Sequence, residues 1–465
     1  MRDAFRLIAP RIVPPLDDAF RPAALANRAF LNEVDAAGGG VALILGLERD
    51  GGAISRLETR VLPAGHARAQ ANLAYSERLL KFLLWQKGGW RVYVGGPADI
   101  GEHLRSCYAP GGSRAFDCQF MGEDVYEQDF AVISCDPAAV PPENERSKPL
   151  GRHLEGCRIG FDLGASDRKV SAVVDGETVY SEEVIWDPRS QDDPRYHYRE
   201  IMSAVQAAAA KMPRVDAVGG SAAGIYINNR VRIASLFRGV RKERYGEVRD
   251  LFLHIREELG VPLEIVNDGD VTALAGSMSL NDNPVLGIAM GSSEAGGYVN
   301  REGNITGWLN ELAFAPVDYS PGAPVDEWSG DRGVGALYFS QQCVFRLAPR
   351  VGIEIPAGLD KAAQLEHVQE LLERGMGGAE EIWRTIGVYL GYSVAHYADF
   401  YDLKHVLILG RCTSGKGGGL ILAAAQEGLA LEFPELAARI SLQLPDEHSR
   451  RVGQSIAAAS LSAAG

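Results

Sequence analysis

The chain has 465 residues, 46% hydrophobic and 23% charged, with a formal net charge of −14. That length suffices for two or three domains with their own cores, so no disulfide or metal staple is needed. The acidic balance argues against a general nucleic-acid binder, which presents a basic face, while leaving room for a local basic groove for phosphates, and no stretch reaches the roughly 20 apolar residues of a membrane span.

The N-terminal stretch Met1–Leu31 is broken by Pro10, Pro14, Pro15 and Pro22 and carries no signal-peptide pattern. An apolar hairpin is expected over Gly40–Leu62, turning at Asp50–Gly52, followed by a helix over Leu73–Gln86 that buries Leu79, Leu80, Phe82 and Leu83. Strands are expected at Trp90–Val94 and Val125–Cys135. Four prolines and five charges over Asp136–Leu150 read as a linker. Beyond it, a strand at Cys157–Phe161 opens a meander through Val170–Val174 and Val179–Val184, turning at Asp175–Gly176. A helix over Tyr198–Lys211, a strand at Val215–Val218, a helix over Val248–Leu259 stopped by Gly260, and a strand at Leu263–Val266 follow. The second half repeats this alternation: a strand at Val285–Met290, a hairpin turn at Glu302–Gly303, a long helix over Glu380–Tyr401, a strand at Val406–Leu409 and a last helix over Val452–Ser462. Such alternation indicates α/β layers with mixed sheets.

Three strands run into Gly-rich loops, at Asp162–Ser166, Gly291–Gly297 and Gly410–Gly419. Glycine lets backbone amides approach a phosphate without an intervening Cβ. Asp268 follows a buried strand, where α/β proteins place ligands. Its carboxylate can take a proton from an attacking hydroxyl, or Asp268 or Asp270 simply caps the next helix. Two segments mimic other sites. GRCTSGKG at 410–417 lacks the Ser or Thr that closes a phosphate-binding P-loop. GGSAAG at 219–224 lacks the second glycine of a nucleophile elbow; it is either a turn in which Ser221, with Asn228 or Asn229, faces a substrate or a purely structural turn. The six cysteines form no CxxC pair, and His153, His254, His367, His396 and His405 show no ligand spacing. No structural zinc is expected, and the cysteines suit a reducing cytoplasm. Trp308 and Trp328 flank Glu311 and either stack on a sugar or pack in the core.

From Cys157 to the end, about two-thirds of the chain, the order of these pieces resembles the ROK family of sugar kinases and related repressors, within the sugar kinase/Hsp70/actin superfamily. IGFDLGAS (159–166) resembles its first phosphate loop, VNDGDVTALA (266–275) its catalytic segment and LGIAMGSSEAGG (286–297) its second phosphate loop. NEL (310–312) resembles its sugar-binding segment and LGRCTSG (409–415) its adenosine loop. The resemblance implies a two-lobed actin-like ATPase (ribonuclease H-like) fold with ATP and Mg²⁺ between lobes that close on a sugar. Residues 156–280 plus 447–465 would form the first lobe and 281–446 the second, with 1–150 an additional N-terminal α/β module. Asp268 would be the base. Asp162 would position Mg²⁺ through water. Gly164, Ala165, Ser166, Gly291, Ser292, Ser293, Gly410 and Gly415 would hold the nucleotide, and Asn267, Asn310, Glu311 and Ser221 the substrate. A homodimer is the family expectation.

The chain departs from the family pattern at several points. Ser293, Glu294 and Ala295 replace glycines of the second loop, Asp167 follows Ser166 in the first, and Phe314 stands where the family has a histidine. The zinc-binding cysteines are absent. Arg2–Pro22 lacks the paired helices of a DNA-binding module, so no nucleic-acid partner is expected. The expected function is ATP-dependent phosphorylation of a sugar or sugar-like polyol; the alternative is a non-catalytic sugar- or nucleotide-binding regulator on the same scaffold.

Overall fold

The computed structural model describes residues 5–145, 150–445 and 447–463. The chain divides into two compact units. One comprises Met1–Arg146, Ile288–Gly296 and Trp308–Leu444; the other comprises Ser147–Gly287, Gly297–Gly307 and Pro445–Gly465.

In the first unit the expected hairpin forms from β1 (Val41–Glu48) and β2 (Ile54–Val61). β1 also pairs antiparallel with β3 (Arg91–Gly95), which runs parallel to β4 (Ala131–Cys135), so the sheet order is β2-β1-β3-β4. The helix Ala71–Lys87 buries the expected stripe and also Lys81, Trp85 and Gln86. Strand β4 is shorter than expected. The backbone over Phe120–Tyr126 is helical, and Glu127 breaks it with a left-handed φ of 54°. The described part of Asp136–Leu150 is not a free linker. Asn144 exchanges backbone hydrogen bonds with Ile54 at 2.9 and 3.1 Å, and Val140 is buried. Arg146, Lys148 and Pro149 of that segment lie outside the described residues.

The second unit carries β5 (Cys157–Leu163), β6 (Asp167–Val174), β7 (Glu177–Ile185), β8 (Ala217–Ala222), a small hairpin of β9 (Ile225–Ile227) and β10 (Arg230–Ile233), and β11 (Leu263–Asn267). Its main sheet runs β11-β8-β5-β6-β7. β5, β6 and β7 form an antiparallel meander, while β8 and β11 join parallel to β5, the order of a ribonuclease H-like sheet. Strand β8 continues past the expected end at Val218 because Gly219 and Gly220 stay extended within it. A Cβ on Gly160 would lie 1.9 Å from the Ser455 carbonyl oxygen, and one on Gly219 1.7 Å from that of Ala458. These glycines therefore let the helix Glu447–Ala459 lie directly on the sheet. The sheet's core is Ile159, Phe161, Val170, Val218, Phe252 and Ile265 with their neighbours.

The remaining strands are β12 (Val285–Met290), β13 (Glu294–Val299), β14 (His405–Leu409) and β15 (Ser441–Gln443), in the order β13-β12-β14-β15. The chain passes from one unit to the other within β12 and back within β13. The long helix is Ala379–Tyr397, ending four residues before the expected Tyr401.

Candidate active site

Three strands of the second unit end side by side. Asp162 lies near the C-terminal end of β5, Ser221 is its register partner on β8, and Val266 of β11 is in turn the partner of Ser221. Asp268 therefore emerges from the same edge, at the start of the helix Asp268–Leu280. Ser221 Oγ donates to Asp162 Oδ1 at 2.7 Å. Ser221 is fully buried, so its hydroxyl braces Asp162 and is not open to a substrate, contrary to the sequence expectation.

The cap of the helix is Asn267, and Asp268 Oδ1 also accepts from the Gly269 amide at 3.0 Å. Asn267 Oδ1 accepts from the Gly269 amide at 2.7 Å, and its Nδ2 donates to the Gly224 carbonyl at 2.8 Å. Both ends of the Asn267 amide are thus committed to the turn. Asp270 is buried and accepts from the Tyr298 amide at 3.2 Å. With the cap and the inner acid accounted for, Asp268 is left as the partly buried carboxylate at the helix start. Loss of water, then the nearby charge of Asp162, raise it from 3.8 to about 6. Burial also raises Asp162, against the Ser221 hydrogen bond and Lys169. Tyr226, which sequence reasoning missed, feels the Asp268 charge; burial and that charge hold its hydroxyl well above the usual range. The expected Asn229 serves the fold instead. It bonds Ile265 and Leu263 of β11 at 2.8 and 2.9 Å from the turn of the β9–β10 hairpin.

The first Gly-rich loop is the tight turn between β5 and β6. The Gly164 amide donates to the Asp167 carbonyl at 2.9 Å and Trp186 Nε1 to the Gly164 carbonyl at 2.8 Å, while Ala165 and Ser166 are exposed.

In the other unit, the Gly291 amide donates to the Ser293 carbonyl at 3.0 Å, leaving Ser292 and Ser293 exposed. Glu294 turns away from that loop surface. It is 3% exposed, packs over Gly335, and faces Tyr397. Burial raises it to about 8, with Tyr397 opposing and Glu311 adding. The acid that intrudes on the loop in sequence is therefore a neutral interior group near pH 7. The third loop leaves β14 at Gly410, whose φ is +100° and where a Cβ would sit 2.6 Å from the Met290 carbonyl oxygen. Gly415 precedes the helix Lys416–Glu432. The P-loop-like lysine, Lys416, donates to the Glu373 carbonyl at 2.8 Å, and Gly417 leaves room for Trp383 Nε1, 2.3 Å from where a Cβ would be.

Asn310 and Glu311 are held by the end of the helix Ala71–Lys87. Their amides donate to the Gln86 and Trp85 carbonyls at 3.0 and 2.9 Å. Asn310 is 1% exposed, left-handed at φ 51°, and its Oδ1 accepts from Tyr401 at 3.0 Å. Its side chain is thus enclosed, whereas Glu311 is partly exposed. Trp308 is also engaged. Its Nε1 donates to Glu145 at 3.1 Å and Lys87 Nζ lies 3.0 Å from its ring centroid. Trp328 is 79% exposed. Phe314 packs against Trp85, Phe116 and Phe120. Nothing local in the sequence signals Trp85, Lys87 or Glu145 as neighbours of Asn310, because more than 150 residues separate them. Among the described residues no cluster of His, Cys, Asp and Glu suits a metal by itself.

No protein-family model and no curated protein sequence matches the chain. Solved structures do. The ROK hexokinase of Thermus thermophilus is similar at a TM-score of 0.50 and 18% identity, over 65% of this chain and 97% of that one. A ROK family transcriptional regulator, a homolog of the E. coli MLC protein, is similar at 0.51 and 17% identity, over 66% of this chain and 78% of that one. The chain thus shares the fold of these ROK proteins.

Proposed function

We propose that the protein transfers the γ-phosphoryl group of ATP to a hydroxyl of a sugar or sugar-like polyol. The observation that carries this reading is the pairing of Asp268 with Asp162 at one sheet edge, with Asp268 raised to about 6. A base of that strength is mostly ionised at neutral pH yet still holds a proton well enough to accept one from an alcohol. Asp268 takes the acceptor hydroxyl's proton. Asp162, braced by Ser221, has Oδ2 left to orient a water of a bound Mg²⁺, and oxygen donors suit that hard cation. ATP supplies the phosphoryl group. The exposed residues Ala165, Ser166, Ser292 and Ser293 are suited to phosphate oxygens, the Gly164 and Gly291 amides being taken up within their own turns; Gly410 and Gly415 suit the nucleoside side and Glu311 acceptor hydroxyls. Phosphoryl transfer is dominated by positioning and charge neutralisation, so this small set is adequate.

The test is transfer of labelled γ-phosphate to a panel of sugars and polyols. Wild-type protein is expected to label at least one acceptor, and Asp268→Asn to lose about 10²-fold or more in kcat with its circular dichroism unchanged. Wild-type turnover in Asp268→Asn would overturn the assignment.

A second reading is favoured by one feature: Ser221, Asn267 and Asn310, all expected at the substrate, are committed to internal hydrogen bonds. A non-catalytic sugar or nucleotide binder would be stabilised by its ligand and give no phosphorylated product.

A further inference from the structure

A cavity of about 430 Å³ lies within the first unit, between the helix Ala71–Lys87, the helix Ala98–Cys107, the Ser113–Arg114 turn and the 318–332 segment. Its wall includes Phe5, Glu77, Arg78, Arg114, Tyr319 and Asp331. None of these residues has a role in the phosphotransfer proposed above.

The wall is part of a buried ion network. Arg78 reaches Glu77 at 2.9 and 3.2 Å and Asp331 at 3.1 and 3.2 Å. Arg114 bonds Glu77 through Nε and Asp331 through Nη1. Lys81 holds Asp117 at 2.8 Å and Asp331 at 3.5 Å. Every side chain in the network is 15% exposed or less. Ions so placed are stable only when their partners are in place, which makes the wall rigid.

The network leaves donors over. All four carboxylate oxygens of Glu77 and Asp331 already accept from Arg78, Arg114 or Lys81. Arg114, a guanidinium with five N–H donors, has used Nε and Nη1 and keeps Nη2. Arg332 stands at the exposed rim. Its Nη1 donates to the Ala323 carbonyl at 3.1 Å, and it has no carboxylate partner among the described residues. In the same wall, Phe5 and Tyr319 meet edge to face at 5.5 Å and add aromatic surface.

Two guanidiniums with donors to spare and two aromatic rings in one cavity wall suit a ligand whose head accepts hydrogen bonds and whose body tolerates an aromatic face. The geometry points to a binding site for a small organic oxyanion, a phosphate ester or carboxylic acid about the size of one substituted sugar ring.

The experiment is calorimetric titration of the full chain with glucose 6-phosphate, gluconate, inorganic phosphate and glucose. Two variants accompany it. Ala74→Phe fills the cavity from the helix Ala71–Lys87, one turn before Glu77 and Arg78, with its circular dichroism and melting temperature checked against wild type, and Arg332→Gln removes the exposed rim cation, where the fold is least at risk. At least one organic oxyanion is expected to bind wild type and Asp268→Asn alike. Binding should be lost in Ala74→Phe and weakened about tenfold in Arg332→Gln, equivalent to ~1.4 kcal/mol. Preference for glucose 6-phosphate over gluconate assigns the head as phosphate; the reverse assigns it as carboxylate. Absence of oxyanion binding to wild type, or binding that survives unchanged in Arg332→Gln, overturns the site.

Discussion

A carboxyl group that loses its water favours its protonated form, and Asp268 and Glu294 respond to the same force with different consequences. Asp268, raised to about 6, is ionised at neutral pH and available as a base. Glu294, raised from 4.5 to about 8, is neutral there and fits the interior beside Tyr397. A raised carboxyl stabilises the fold fully below its unfolded value and loses that contribution as pH rises through the folded one. For Glu294 the window therefore runs from about 4.5 to about 8. Glu294→Gln keeps the shape and removes the titration. Its stability in urea is expected to match wild type near pH 4 and to exceed it at pH 9, by on the order of 4 kcal/mol. Equal midpoints at pH 9 would show that Glu294 ionises without penalty.

At the scale of elements, the helix Ala71–Lys87 does more than pack. The last carbonyls of a helix lack intrahelical partners, and here Trp85 and Gln86 offer theirs to the amides of Glu311 and Asn310. Lys87 then covers the Trp308 ring and Glu145 takes its indole N–H. The segment proposed to meet acceptor hydroxyls is thus set by residues of the N-terminal region. Lys87→Ala should cost about 1 kcal/mol through loss of its packing on the Trp308 ring, burial lowering the Lys87 ammonium to about 7 so that it is only partly charged at neutral pH, and should speed amide exchange at Asn310 and Glu311. Unchanged exchange there would mean that the backbone bonds alone hold the segment.

At the scale of the whole chain, ligand binding to the folded state raises apparent stability by mass action. Mg·ATP is expected to raise the melting temperature of wild type and to have little effect on Asp162→Ala, measured by scanning fluorimetry. An equal shift in both proteins would remove Asp162 from the nucleotide site. The test is independent of the acceptor sugar, and so separates nucleotide binding from turnover.

Much of the scaffold was legible in the sequence because it rests on local rules. Alternating apolar strands, Gly-terminated helices and three strand-to-loop junctions require only neighbouring residues, and they led to the ROK-like fold that solved structures share. The places of Asp162, Asp268 and Glu311 along the chain followed from the resemblance of their segments to the family's motifs. What each side chain does was decided by tertiary structure. Glu294 faces inward because Gly335 leaves room for it, Ser221 braces Asp162 because β5 and β8 bring them into register, and Asn267 caps a helix that either neighbouring aspartate could have capped. The hold of Trp85 and Gln86 on Asn310 and Glu311, and the ion network joining Glu77 to Asp331, link residues more than 200 positions apart. Hydrophobic period and turn chemistry act over a few residues and set the elements; burial and charge pairing depend on which distant elements meet, and only the folded chain determines that.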